Sequence, residues 1–160
     1  MTTDYDAKLT TLGYTLEPEE MSSGGIMRAV RTGNLSFTSG QTSGWGDTVI
    51  SGQVGGDLTI EQGYQAARLA TVNALRAVKR LTGGWDQVVR IVKVLGLVNA
   101  APGFNETPAV IHGCSDLLLE VFGDAGRHAC SAVGVVVPLN FAVEIEQIVE
   151  VREPRVVHEN

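Results

Sequence analysis

Polar and apolar positions alternate near the end of the chain, and apolar positions recur at three and four residues through its middle. Ala142 to Val151 shows the clearest alternation. Val143, Ile145, Val149 and Val151 share one face of an extended segment, and Glu144 and Glu146 share the other. Ser131 to Val137 is a Val-rich run that predicts a further strand, with Pro138 and Asn140 at the join. Thr59 to Leu81 reads as a helix. Thr59 with Glu61 and Gln62 supplies an N-terminal capping pattern, and Gly83-Gly84 supplies a stop. Tyr64, Ala67, Thr71, Ala74, Leu75, Val78 and Leu81 form its apolar stripe, and Arg68, Arg76, Lys79 and Arg80 read as a solvated face.

Val88 to Val98 is apolar on both faces and predicts a central strand, with Arg90 and Lys93 on opposite faces. Ala109 to Phe122 predicts a second helix whose stripe is Ile111, Cys114, Leu118, Val121 and Phe122. Before the first helix, Ile26 to Arg31 and Leu35 to Ser39 flank Thr32-Gly33-Asn34 as a hairpin. Tyr14 to Glu17 is a candidate edge strand, and residues 17–20 and 22–25 are turn material. Thr42 to Asp57 is a Gly, Ser and Thr-rich loop with Trp45 near its tip and a candidate short strand at Thr48 to Ser51. The order strand-strand, helix, strand, helix, strand-strand gives an α+β domain in two layers, two helices on one mixed sheet.

A length of 160 residues suits one domain over residues 1–152, with a polar tail over 153–160. Charged residues make up 19%, below the roughly 25% usual for soluble domains, so apolar surface is expected to be covered by copies of the chain. The formal net charge of -6 argues against nucleic acid as a partner. Cys114 and Cys130 are too few for a disulfide framework and lack metal-site spacing, so no metal is expected. No signal pattern opens the chain and no apolar run approaches the length of a membrane helix. A reduced cytoplasm and no membrane partner are the expectation. With no phosphate-cradling or dinucleotide motif, no cofactor is expected.

Candidate chemistry gathers near the end of the chain. Cys130 follows Arg127 and His128, which with His112 are possible helpers for a thiolate nucleophile. The alternative is that Cys130 is a small, buried, inert packing residue, and Cys114 reads as core. Glu144 is a candidate acid-base group or a buried interface carboxylate, and Glu146 suits the structural part. His112 is a cap or surface residue if it does no chemistry. Trp45 covers a core edge or subunit contact, or lines a ligand site.

Several motifs occur in a shared order: Gly33-Asn34 with Ser39-Gly40-Gln41, then Gly63 to Leu69, Asn99 to Phe104, Ser115 to Gly123, Gly126 to Ala129, and Val143-Glu144-Ile145-Glu146. In this the chain resembles the RidA/YjgF group. The resemblance implies a chorismate-mutase-like fold and a homotrimer with a barrel-like core and clefts between subunits. It also implies hydrolysis of reactive imines and enamines, with release of ammonia. In the group an arginine grips the substrate carboxylate, a glutamate places water and a tyrosine lines the cleft. Those positions hold Cys130, Glu144 and Ile26 here. Glu144 and Cys130 are thus the expected catalytic residues, and Ile26, Trp45, Phe104, His112, Arg127 and His128 the expected substrate-binding ones. A non-catalytic small-molecule-binding trimer is the alternative. RNA cleavage, an activity of some members, is weighed down by the acidic balance.

Overall fold

A computed structural model describes residues 5–14 and 24–153. The residues after Tyr14 in the expected edge strand, the turns at 17–20 and 22–23, and the tail after residue 153 lie outside the described residues. The elements run α1 (Tyr5–Thr11), β1 (Ala29–Thr32), β2 (Leu35–Thr38), β3 (Gln41–Thr42), β4 (Gly44–Trp45), β5 (Thr48–Val49), α2 (Ile60–Thr82), β6 (Val88–Asn99), α3 (Thr107–Phe122), β7 (Ala129–Val135) and β8 (Val143–Val151).

The main sheet has the order β1-β2-β8-β6-β7, and β3 continues along β8 beside β2. The β6–β7 pair is parallel and the other pairs are antiparallel. Thus β7 and β8 flank β6 from opposite sides. Alternation in β8 survives in full: Val143, Ile145, Gln147, Val149 and Val151 are buried, and Glu144, Glu146, Ile148 and Glu150 are not. The buried face meets α2 and α3. The other face of the sheet carries none of the described helices.

Two irregularities change which side chains share that open face. In β6, Ile91 pairs with Val149 and Lys93 with Ile148, so Val92 is an extra residue. A bulge shifts the alternation by one. Arg90, opposite Glu150, and Lys93, opposite Ile148, therefore lie on the same open face, not on opposite faces as simple alternation predicts. Along the other side of β8, Phe37 pairs with Ile148 and Gln41 with Ile145. Residues 38–40 therefore span what residues 146 and 147 span, and Ser39-Gly40 holds one residue more than the ladder needs.

Among the described residues three helices, not two, cover one side of the sheet, α1 by packing on α3. The extra one, α1, is short and polar, and distant partners hold it. Leu9 is fully buried, the Tyr5 ring lies 4.8 Å from that of Phe122, and Lys8 Nζ donates to the Val121 carbonyl at 3.2 Å. Asp6 accepts from Lys79 Nζ at 2.7 Å and from the Trp85 indole. Such a helix has no stability alone. Thr59 caps α2, with a reciprocal capping box to Gln62. Helices α2 and α3 meet closely at Gly113, where a methyl group would run into the Tyr64 carbonyl.

The expected solvated face of α2 is corrected at two places. Arg68 is only 9% exposed and Arg76 only 3%. Arg68 forks onto Glu120 of α3 with bonds of 3.1 and 3.0 Å. Arg76 lies 3.6 Å from the centre of the Trp45 ring and donates to Asn73 Oδ1 at 2.6 Å. Helix α2 is covered by more than the sheet, so its buried surface is wider than one stripe.

Gln147 projects from β8 into the helix-facing layer and is 1% exposed, yet neither amide atom has a hydrogen-bond partner among the described residues. A buried polar group left unpaired costs about 1–3 kcal/mol. Replacing it with an apolar residue of similar size removes that cost. We predict that Gln147→Leu raises stability in chemical denaturation by about 1–2 kcal/mol. A loss of stability would show that the amide is satisfied in solution.

Candidate functional site

The open face holds a continuous row across four strands. Thr42 of β3 pairs with Glu144 of β8, Glu144 with Leu97 of β6, and Leu97 with Val133 of β7. Ladder partners project to the same side, so these four side chains stand together. The next row along the strands is Glu146, Leu95 and Ser131. The wall beside Glu144 is backbone. A methyl group built on Gly40 would overlap the Glu144 carboxylate, so only glycine lets that carboxylate lie against the Ser39-Gly40 bulge.

Helix α2 fixes this wall from behind. Asn73, 3% exposed, donates to the Thr42 carbonyl at 2.9 Å and the Gly44 carbonyl at 2.8 Å, and its own oxygen accepts from Arg76. Arg76 in turn backs Trp45. Ser43, fully buried, donates to the Ile50 carbonyl at 2.7 Å and accepts from Ala142 N–H at 3.2 Å. The β3–β4 corner is therefore rigid where it borders Glu144. Burial holds the Glu144 pKa above its ordinary value, and the neighbouring Glu146 carboxylate adds to the rise. A carboxyl group moved toward neutrality suits proton transfer.

Of the other expected site residues, Cys130 and His128 stand on the helix side of the sheet, away from Glu144 within the chain. Cys130 pairs with Val94, which is fully buried beneath the helices, so Cys130 projects to the side of the sheet opposite Glu144. His128, two residues earlier, bonds to Ser115 of α3 at 3.0 Å and to the Gly126 carbonyl at 2.6 Å. Arg127 is exposed and bonds to Asp124 at 3.2 Å. Ile26 is 74% exposed ahead of β1, and His112 is exposed on α3. Phe104 packs its ring over Gly55 in a loop. Trp45 lies against Arg76.

Glu144 itself was readable from the alternation of β8. Its neighbours Gly40, Thr42, Leu97 and Val133 were not, because ladder register and the bulge set them beside it. Lys93 Nζ donates to Ser131 Oγ at 3.1 Å on the same open face. It stands two same-face steps from Leu97, roughly 13 Å along the strand.

Among the described residues no group of three His, Cys, Asp or Glu side chains is placed to hold a metal ion. No described helix is long and apolar enough to cross a membrane. A cavity of about 360 Å³ lies between the β5 end and the start of α2, lined by Ile50, Leu58 and Gln65 among others.

Residues 7–151 match the family model described as "YjgF/chorismate mutase-like, putative endoribonuclease". Among curated proteins, protein TCP17 of Trypanosoma cruzi is 42% identical over 103 residues, 63% of this chain and 64% of that protein. The match thus spans less than two thirds of that relative's length. Among solved structures, protein Atu1372 of Agrobacterium tumefaciens, of unknown function, is 36% identical with a TM-score of 0.85, covering 93% of this chain and 94% of that one. A Shewanella oneidensis protein carrying the same endoribonuclease description is 32% identical with a TM-score of 0.84, covering 91% and 98%.

Burial pushes the Cys130 thiol above its ordinary pKa of 9.0, against a smaller opposing pull from Lys93. The thiol form therefore persists to higher pH, and a reactive thiolate is disfavoured at neutrality. We predict that iodoacetamide alkylates Cys130 of the native protein more slowly than free cysteine at pH 7, with the rate levelling off at a higher pH than that of free cysteine. Fast alkylation near pH 7 would contradict this placement.

Proposed function

The chain belongs to the YjgF/chorismate mutase-like family, and from that premise we propose that it hydrolyses a C–N bond in a small imine or enamine. Glu144 is the acid-base group. The observation that carries this reading is its carboxyl: half-buried, raised in pKa and seated against the Gly40 bulge on the face turned away from the described helices. In the proposed reaction Glu144 takes a proton from water as the water oxygen bonds to the imine carbon. Glu144 passes that proton to the nitrogen, the new hydroxyl gives up a second proton to it as the C–N bond breaks and C=O forms, and ammonia and a carbonyl product leave.

We also propose that the open face is covered by two further copies in a homotrimer. Val30 and Val133 are 51% and 43% exposed there, and Phe37, Leu97 and Ile148 are half-buried. An apolar sheet face is ordinarily buried against another layer. Clefts between subunits would let the Cys130 side of one chain approach the Glu144 side of another. The two free cysteines, one exposed, fit a reducing compartment such as the cytoplasm.

A second reading, a small-molecule-binding trimer without turnover, is favoured by Cys130. A cysteine with an elevated pKa stands where the resemblance implies a carboxylate-gripping arginine. RNA cleavage, which the family description names, is disfavoured by the net charge of -6.

We predict ammonia release from imines generated in situ by an amino-acid oxidase, falling by about 10²-fold or more in Glu144→Gln. Equal turnover by the variant would overturn the role of Glu144. Saturable ligand binding without turnover by the wild type would support the second reading.

A further inference from the structure

The Glu144 face leaves unused a second cluster of reactive groups on the opposite side of the sheet, between α3 and the start of β7. Ser115 lies mid-helix in α3, half-buried, on the side turned to β7. Helix serines commonly return their hydroxyl to a carbonyl one turn earlier. Ser115 Oγ instead meets His128 Nε2 at 3.0 Å. The other ring nitrogen, Nδ1, lies 2.6 Å from the Gly126 carbonyl oxygen.

These two bonds fix the proton positions of the neutral imidazole. A carbonyl oxygen can only accept, so Nδ1 carries the hydrogen. Nε2 then presents its lone pair, and the Ser115 hydroxyl donates to it. The orienting carbonyl is itself held in place. Gly126 is buried, and a methyl group there would collide with the Leu118 carbonyl, so the 123–126 turn is pressed onto the α3 backbone. A nucleophile, a base within hydrogen-bond reach and a third group orienting the base are the three parts an activated hydroxyl requires.

The cluster is open to solvent. Ser115 and His128 are half-buried, Cys130 is exposed on the same side of β7, and Leu119 is 40% exposed one helical turn beyond Ser115. Leu119 offers an apolar support for a short acyl group.

We propose that Ser115 is an acyl-accepting nucleophile, with His128 as its base and the Gly126 carbonyl as its orienter, for small activated esters or thioesters. Ser115 Oγ bonds to the acyl carbon as its proton moves to His128 Nε2. The bond to the leaving group then breaks, and the departing alcohol or thiol takes that proton. Acyl-Ser115 and neutral His128 remain, and water reverses the sequence to release the acid. This activity is independent of Glu144, and its failure leaves the C–N hydrolase reading untouched.

The test is labelling of the native protein with a fluorophosphonate probe, followed by peptide mapping. Label on Ser115 is expected in the folded protein and not after heat denaturation. It is expected to vanish in Ser115→Ala and to slow by about 10²-fold or more in His128→Gln. No label on Ser115, or an unchanged rate in a folded His128→Gln protein, would overturn the proposal. Should His128→Gln not fold, p-nitrophenyl acetate on the wild type decides. An acetyl group mapped to Ser115 supports the proposal, and one on His128 alone, or none, overturns it.

Discussion

The antiparallel ladder between β6 and β8 is the constraint on which the two faces of the sheet depend. It seats five alternate residues of β8, Val143 to Val151, against the helices and turns Glu144, Glu146 and Glu150 away from them. A slip of one residue would reverse every side chain and drive three carboxylates into the core. Burying charges without partners costs far more than the ladder could recover. The register is therefore firmly specified, and with it the position of Glu144.

Local irregularities then refine what the ladder allows. The extra residue at Val92 turns Lys93 to the open face, and the extra residue at Ser39-Gly40 supplies the backbone wall for the Glu144 carboxylate. Behind the second, Asn73 bonds two carbonyls of the β3–β4 corner, while Arg76 joins Asn73 to Trp45. A helix that is mostly core thus positions the strand edge beside the candidate site. The proposed C–N hydrolysis and the Ser115 cluster use opposite sides of the same sheet, so each can be lost without the other.

Much of this was legible in the sequence where a local period decides the outcome. Helix α2 begins at the expected cap, β8 alternates as its apolar positions predict, and the group resemblance rests on motifs in the observed order. Distant partners hid the rest. Arg68 and Arg76 look like solvated charges until Glu120 and Trp45 arrive from other parts of the chain. Helix α1 has seven residues and depends on Phe122, Val121 and Trp85. The faces of Cys130 and Glu144 could not be compared from sequence. Alternation fixes phase within a strand, and only the ladder through β6 relates one strand to another.

Glu144 is a shielded carboxyl on an ordered wall, and a carbon-detected NMR titration of its side chain would report that shielding. Burial first, and the Glu146 charge second, place its midpoint above the ordinary value of 4.5, and Glu146→Gln should lower it. The protonated acid would then persist to higher pH in the folded chain than in the unfolded one. Stability contributed by this group would fall as pH rises through that interval. A midpoint at or below 4.5, unmoved by Glu146→Gln, would mean that Glu144 is an ordinary solvated carboxylate and would contradict the account.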